Sequence, residues 1–136
     1  MGTEAENMDL IRRMYQGFSD IDPEWMTSCF TDDGVIHIVC LEPWQGRDAI
    51  YAMFERWRND YGGIHSELKN VASGPDLVMT EWVDHYDWNG VHYDIPLMGT
   101  FTFAGDKITA WRMYVDRIMA DMVGGQYPEV SAGAKS

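Results

Sequence analysis

The sequence has few basic residues for its length. Ten Lys and Arg stand against 22 Asp and Glu among 136 residues, which gives a formal net charge of −12. Such a chain repels both the phosphate backbone of a nucleic acid and an anionic membrane surface. We therefore expect no nucleic-acid partner and no membrane partner.

Cysteines, long apolar runs and targeting signals are also scarce. The two cysteines, Cys29 and Cys40, form neither a CxxC pair nor a Cys/His zinc spacing, so we expect two buried free thiols and no metal site. No window is apolar enough for a transmembrane helix, and the acidic N-terminal segment does not resemble a signal peptide. These absences predict a cytoplasmic protein.

Aromatic residues and methionines are abundant instead. Six Trp, seven Tyr, five Phe and ten Met can fill a core or line an adaptable apolar pocket. The length fits one domain, which we place at residues 1–124. Residues 125–136 are small and polar and are predicted to be a disordered tail.

Helical patterns occupy the first half of the chain. Apolar residues from Met8 to Phe18 recur at helical spacing, and Asp22-Pro23-Glu24 is typical of the start of a second helix that ends near Phe30. A turn over 31–34 and a short strand over 35–40 follow. A long helix then presents one apolar face and stops at Gly62-Gly63. That face carries Ile50, Met53, Phe54, Trp57 and Tyr61.

Period-two patterns occupy the second half. Strands are predicted near 64–72, 77–88, 91–103 and 107–117, and Asn89-Gly90 between two of them is a strong hairpin signal. Three helices before a long meander predict an α+β fold, in which a curved mixed or antiparallel sheet wraps a long helix into a cone. Ligands usually bind at the open end of such a cone.

Asp84 lies on an otherwise aromatic strand face. Alternation places it with Thr80, Trp82, Tyr86 and Trp88, and we expect this face to point inward. Burial among aromatic rings disfavours the charged carboxylate and raises its pKa. A carboxyl group in such a place is either catalytic or a hydrogen-bonded structural group.

Other apolar positions complete the predicted binding site. The inward faces of the remaining strands and of the long helix carry few polar groups, so we expect a hydrophobic site. The predicted substrate-binding residues are Trp82, Tyr86, Trp88, Ile36, Ile38, Phe54, Trp57, Ile95, Leu97 and Met113.

Three segments carry a family resemblance. The runs 80–84 (TEWVD), 97–101 (LMGTF) and 107–116 (KITAWRMYVD) resemble the limonene-1,2-epoxide hydrolases, which group with SnoaL-like cyclases, ketosteroid isomerases and scytalone dehydratases in the nuclear transport factor 2-like superfamily. The likeness extends from about residue 10 to residue 119. It implies the cone-shaped fold, an enclosed pocket, no cofactor and a homodimer.

The catalytic positions implied by the resemblance are largely replaced. Asp84 matches the first Asp of an Asp-Arg-Asp set, but Trp82 stands at the Arg position and Met113 at the second Asp position. Ile36 and Ile38 stand where Tyr and Asn would hold a water. The ketosteroid isomerase pattern is also replaced, with its base position at Ile38, its acid position at Gly99 and its Tyr position at Met14.

Three further side chains are candidate partners of Asp84. His65 matches the early-strand catalytic His of scytalone-type dehydratases, although its alternation with Glu67 indicates the solvent face unless a bulge turns it inward. His37 is either catalytic or a hydrogen-bonded surface histidine. Tyr15 is either a donor to substrate or part of the core.

Three functions fit these observations. The first is a cofactor-independent lyase or isomerase that acts on a small hydrophobic aromatic, terpenoid or polyketide-like molecule. The second is an epoxide hydrolase in which Tyr15 or His65 replaces the lost acid. The third is a non-catalytic small-molecule binding protein.

Overall fold

The computed structural model describes residues 2–116. The helices are α1 (Glu4–Gly17), a 3-10 turn (Phe18–Asp20), α2 (Pro23–Ser28) and α3 (Arg47–Tyr61). The strands are β1 (Phe30–Ile38), β2 (Trp44–Gln45), β3 (His65–Gly74), β4 (Leu77–Trp88), β5 (Val91–Ala104) and β6 (Lys107–Tyr114). None of the helices in this range is long and apolar enough to cross a membrane.

The helix ends follow their local sequence. Thr3 and Glu6 form a capping box that starts α1 four residues before the first predicted apolar position. Asp22 caps α2, which ends at Ser28, two residues earlier than predicted. Gly62 ends α3 in a left-handed conformation, and its N–H donates to the Arg58 carbonyl.

The six strands form one curved mixed sheet in the order β2-β1-β6-β5-β4-β3. The predicted meander from β3 to β6 is confirmed, and β1 joins its last strand in parallel. The predicted turn over 31–34 lies inside β1, which pairs with β6 at Phe30 and again from Val35, with an irregularity between. The two-residue strand β2 was missed because its edge pairing carries no periodic signal.

The core lies between the helices and the inner face of this sheet. Its fully buried side chains include Ile11, Ile50, Phe54, Phe101 and Trp111. The predicted inward faces of β4, β5 and β6 are confirmed, except that Val91 at the start of β5 is half exposed. Both cysteines are free, with Cys29 buried and Cys40 only partly buried.

The β4–β5 hairpin extends past both neighbouring strands. Pairing with β3 ends at His65 opposite His85, and pairing with β6 ends at Tyr114 opposite Met98. Residues 86–93, here called the arm, therefore form a two-stranded ribbon within the described chain. Asp84 stands at the base of the arm.

Candidate functional site

Asp84 is held from the neighbouring strand by Ser66. The two residues are directly opposite each other on β4 and β3, and the Ser66 hydroxyl donates to Asp84 Oδ1 at 2.6 Å. The Trp82 side chain, two residues earlier on the same inner face, also interacts with the carboxyl group. A carboxylate can accept about four hydrogen bonds, so these two donors leave capacity for a substrate.

The surroundings of Asp84 favour its protonated form. Burial raises the pKa of Asp84 to about 6, while hydrogen bonding from Ser66 and Trp82 and the nearby His85 act in the opposite direction. Desolvation outweighs them because the apolar interior solvates a negative charge poorly. The group is therefore basic enough to accept a proton near neutral pH and is largely ionised there.

Tyr86 provides an unused donor two residues from Asp84. Its ring is 5% exposed, and its hydroxyl oxygen is buried without a hydrogen-bond partner among the described residues. The ring packs between Tyr61 of α3, at 5.0 Å between centroids, and Tyr93 of β5, at 5.5 Å. Burial raises the pKa of Tyr86, so its hydroxyl stays protonated. A buried hydroxyl without a protein partner is free to donate a hydrogen bond to a bound molecule.

Tyr15 is a member of the core. It is 2% exposed, and its hydroxyl lies 2.9 Å from Thr80 Oγ1. Its ring packs against Phe18, Trp82, Phe101 and Trp111. Because its hydroxyl already has a hydrogen-bond partner in the protein, the geometry favours the interpretation that Tyr15 is part of the core.

The two candidate histidines, His65 and His37, make their contacts with groups other than Asp84. His65 is exposed and stacks on His85 at 5.6 Å between ring centroids, on the outer face of the sheet. The solvent-face alternative for His65 is therefore the one that the structure shows, and Ser66 lies opposite Asp84. His37 is partly buried, and its Nε2 lies 2.9 Å from the Leu41 carbonyl oxygen. This contact favours the interpretation of His37 as a hydrogen-bonded surface histidine.

The predicted substrate-binding residues all belong to the single apolar cluster between helices and sheet. Three of them, Ile38, Trp57 and Trp88, are only partly buried, as is Asp84 itself. The contact of Tyr61 with Tyr86 joins the end of α3 to the arm. The remaining seven are buried: Trp82, Tyr86, Ile36, Phe54, Ile95, Leu97 and Met113.

Apolar side chains fill the positions at which the resemblance implied polar groups. Trp82 is 1% exposed and Met113 3%. The Trp82 ring lies over Gly99, where an added Cβ would meet ring carbons at 3.0 and 3.1 Å. An acidic side chain at position 99 is incompatible with this packing. The position of the Trp82 ring therefore depends on a glycine at position 99.

Two features of the site were missed in the sequence, namely Ser66 as the partner of Asp84 and the free hydroxyl of Tyr86. A third lies on the outer face, where His85, His92 and Asp94 come together. For the last set a signal existed, because pairing across Asn89-Gly90 places position 85 opposite 94 and position 87 opposite 92.

Solved structures resemble the chain over most of its length. An epoxide hydrolase of the limonene epoxide hydrolase type from M. tuberculosis has a TM-score of 0.76 and 19% identity, with 98% of each chain covered. SalBIII, an epoxide hydrolase/cyclase-like enzyme of pyran ring formation in salinomycin, has a TM-score of 0.77 and 18% identity, covering 86% of this chain and 95% of its own.

A protein with a ketosteroid isomerase-like fold from Catenulispora acidiphila, in complex with trimethylamine, has a TM-score of 0.73 and 18% identity, covering 85% of this chain and 88% of its own. At these identities the likeness shows the shared fold. No curated protein matches the chain significantly. The model of the SnoaL-like domain matches residues 11–111, which include Asp84, Ser66 and Tyr86. The chain belongs to the SnoaL-like domain family, within the nuclear transport factor 2-like superfamily.

Proposed function

We propose that this protein is an acid–base enzyme that moves a proton at the carbon beside a carbonyl group in a small hydrophobic molecule. The observation that carries the proposal is the pairing, on one inner strand face, of a partly buried carboxyl group with a buried hydroxyl that has no partner. Asp84 acts as the base and Tyr86 as the hydrogen-bond donor. Isomerisation, dehydration and aldol-type cyclisation all share this proton transfer.

Asp84 suits the role of base. Its pKa near 6 makes it a stronger base than an ordinary carboxylate, while it is still mostly ionised at pH 7. Ser66 donates to Oδ1 and orients the group, and the carboxylate retains acceptor capacity for the substrate proton. The site supplies no second carboxyl group from the described inner strand faces, so one base returns the proton that it removes.

Tyr86 suits the role of donor. When the proton leaves carbon, negative charge develops on the carbonyl oxygen, and a donor already in place stabilises that charge. The Tyr86 hydroxyl is protonated and desolvated, and no group of the described protein competes for it. The flanking rings of Tyr61 and Tyr93 offer an apolar surface for a cyclic substrate.

Epoxide hydrolysis ranks second. It requires an acid at the epoxide oxygen and groups that hold a water, yet the implied positions carry Trp82, Met113 and buried Ile36. Of the replacements considered from the sequence, Tyr15 has an internal partner and His65 lies on the outer face. A diol formed without oxygen-18 label from labelled water would exclude direct water attack.

Exchange of hydrogen for deuterium beside a carbonyl tests the proposal without knowledge of the natural substrate. Hydrophobic ketones such as 2-tetralone are incubated with protein in D2O containing a chelator, and the α-proton signal is followed by NMR. We expect exchange well above the buffer rate, loss of that excess in Asp84→Asn, and a decrease of about 100-fold in Tyr86→Phe.

Glu81→Gln is the matched control, because Glu81 is an exposed carboxylate on the outer face of the same strand. Exchange that persists in Asp84→Asn, or that falls equally in Glu81→Gln, would contradict the proposal. Saturable binding of the ketones without any catalysed exchange would favour a non-catalytic binding protein.

A further inference from the structure

Two histidines and three carboxylates meet on the outer face at the base of the arm. His85 and Asp94 are directly opposite each other on β4 and β5, and Asp87 and His92 form the next same-face pair. Glu67 reaches the cluster from β3. Because all five stand on paired strands, the sheet fixes their spacing.

Three ligand atoms converge on one point of this cluster. Asp94 Oδ1 lies 2.6 Å from His85 Nδ1 and 2.8 Å from His92 Nε2. All three atoms lie within 4.8 Å of one another. A metal ion with bonds of 2.0–2.1 Å keeps tetrahedral ligand atoms about 3.3 Å apart. The Asp94 carboxylate would therefore withdraw by less than about 1 Å from each nitrogen, and the imidazole nitrogens, which lie within 4.8 Å of each other, would adjust to the same spacing.

Each histidine has a second carboxylate on its other nitrogen. Glu67 Oε1 lies 3.0 Å from His85 Nε2, and Asp87 Oδ1 lies 2.7 Å from His92 Nδ1. Histidines that bind metal almost always donate their remaining N–H to such a group, which fixes the tautomer and the ring orientation. The cluster therefore contains both the inner ligands and the outer groups that orient them.

We propose that His85, His92 and Asp94 bind a divalent transition-metal ion of the zinc type. Two imidazole nitrogens and one carboxylate oxygen form a donor set that suits Zn²⁺. The three carboxylates of the cluster supply negative charge, and Lys69 is the cation paired with the far oxygen of Glu67. Glu67 and Asp87 remain outside the coordination shell as orienting groups.

Such an ion would link the two strands of the β4–β5 hairpin at the base of the arm. Residues 86–93 have only each other as strand partners within the described chain, and an isolated two-stranded ribbon is marginally stable in water. The ion binds the outer face, whereas Asp84 and Tyr86 occupy the inner face of the same strand. Its role is therefore to hold β4 and β5 together at the base of the arm, and it takes no part in the proton transfer.

The competing explanation is a pair of imidazolium ions. Each ring has a carboxylate at both nitrogens, and both contacts are hydrogen bonds only if both nitrogens carry a proton. In that case the cluster binds protons and has no use for a metal. A direct binding measurement separates the two explanations.

The test is titration of chelator-stripped protein with Zn²⁺ by calorimetry and with Co²⁺ by visible absorption. We expect one ion per chain in the wild type, and binding weakened by more than about 100-fold in His85→Gln and in His92→Gln. Asp87→Asn keeps every ligand and loses one orienting group, so its binding should weaken about 10-fold. Zn²⁺ should also raise the melting temperature of the wild type.

The other two histidines provide controls, because each variant then retains three of the four histidines. His37→Gln should keep the stoichiometry and an affinity within about threefold of the wild type. His65→Gln, which removes a ring stacked on the proposed ligand His85, should keep the stoichiometry. Circular dichroism of each metal-free variant checks its fold. If a ligand variant is unfolded, the affinity of Asp87→Asn decides the test in its place. No binding by the wild type, equal losses in all four histidine variants, or unchanged binding in Asp87→Asn would overturn the proposal.

Discussion

Ser66 and Asp84 face each other across β3 and β4, and a hydrogen bond of 2.6 Å joins the serine hydroxyl to the carboxyl group. The bond lowers the pKa of Asp84, whereas burial raises it more strongly. The basicity of the carboxylate is thus set by burial, which raises its pKa, against Ser66, Trp82 and His85, which lower it.

Removal of that hydroxyl should raise the pKa of Asp84 further. A hydrogen bond to a charged group contributes about 1.5–3 kcal/mol, so Ser66→Ala is expected to raise the pKa of Asp84 by about one to two units. The measurement is the carbon-13 shift of the Asp84 carboxyl group against pH, with a chelator present. Ser66→Thr, which keeps the donor, is the control. A pKa that stays near 6 in Ser66→Ala would show that the hydroxyl does not stabilise the carboxylate.

The same pKa predicts how stability depends on pH. The folded-state pKa of about 6 lies above the ordinary value of 3.8, so the folded protein binds the Asp84 proton more tightly than the unfolded chain. This contribution to stability is fully present below pH 3.8 and is lost as pH rises through 6. At pH 8 the buried carboxylate costs up to about 3 kcal/mol.

Asp84→Asn should therefore be more stable than the wild type at pH 8 and close to it at pH 4. Urea unfolding at both pH values, with a chelator present, measures the difference. Glu81→Gln removes an exposed carboxylate from the same strand and should change stability by less than about 0.5 kcal/mol. A variant that is less stable than the wild type at pH 8 would mean that Asp84 is a satisfied structural group.

One bulge explains why the sequence did not reveal Ser66. Counting back from the turn at Pro75-Asp76 with an unbroken register places Glu67 opposite Asp84. In the structure, Lys69 lies between the paired residues Leu68 and Asn70 and has no residue opposite it on β4, which shifts the register by one. Ser66 then lies opposite Asp84, and His65 lies on the outer face, as its alternation with Glu67 indicated.

The parts of the fold that periodicity fixes were predictable. The helix from Arg47 to Tyr61, the four long strands and the Asn89-Gly90 hairpin all follow from apolar spacing and turn residues. The short β2 and the irregular start of β1 depend on contacts that are remote in sequence. Periodicity was enough to predict that Asp84 lies on the inner face. It could not predict Ser66 as its partner, because that pairing depends on contacts remote in sequence.

The close packing of Trp82 over Gly99 predicts opposite effects of two Gly→Ala substitutions. A Cβ at position 99 would lie 2.9 Å from the Arg112 carbonyl oxygen and 3.0 Å from the Trp82 ring, so Gly99→Ala should destabilise the fold by about 1–3 kcal/mol. Gly74, also in a strand, has no atom within 4 Å of the same position.

Gly74→Ala should thus be neutral, or more stable by up to about 1 kcal/mol, because it restricts the unfolded chain. Thermal unfolding of the two variants checks the contrast. Equal stability of the two would show that Trp82 can move away from residue 99, and the space beside Asp84 would then be adjustable.

Loss of the hydroxyl should lower stability at Tyr15 and lower the ketone exchange rate at Tyr86. Tyr15→Phe removes the partner of Thr80 Oγ1 in the core, which should cost about 1 kcal/mol of stability. Tyr86→Phe removes a buried hydroxyl that has no partner, so stability should stay equal or rise. Activity should follow the reverse order, with ketone exchange changed less than about threefold in Tyr15→Phe.

Both substitutions delete one oxygen atom from a buried ring, so each serves as the control for the other. Unfolding in urea and the deuterium exchange rate are measured on the same preparations. A structural role alone would couple the loss of exchange to the loss of stability. Exchange lost only in Tyr86→Phe, in a protein at least as stable as the wild type, can come only from a hydroxyl that acts on the substrate. Exchange lost only in Tyr15→Phe would transfer the donor role to the core tyrosine and contradict the assignment of Tyr86.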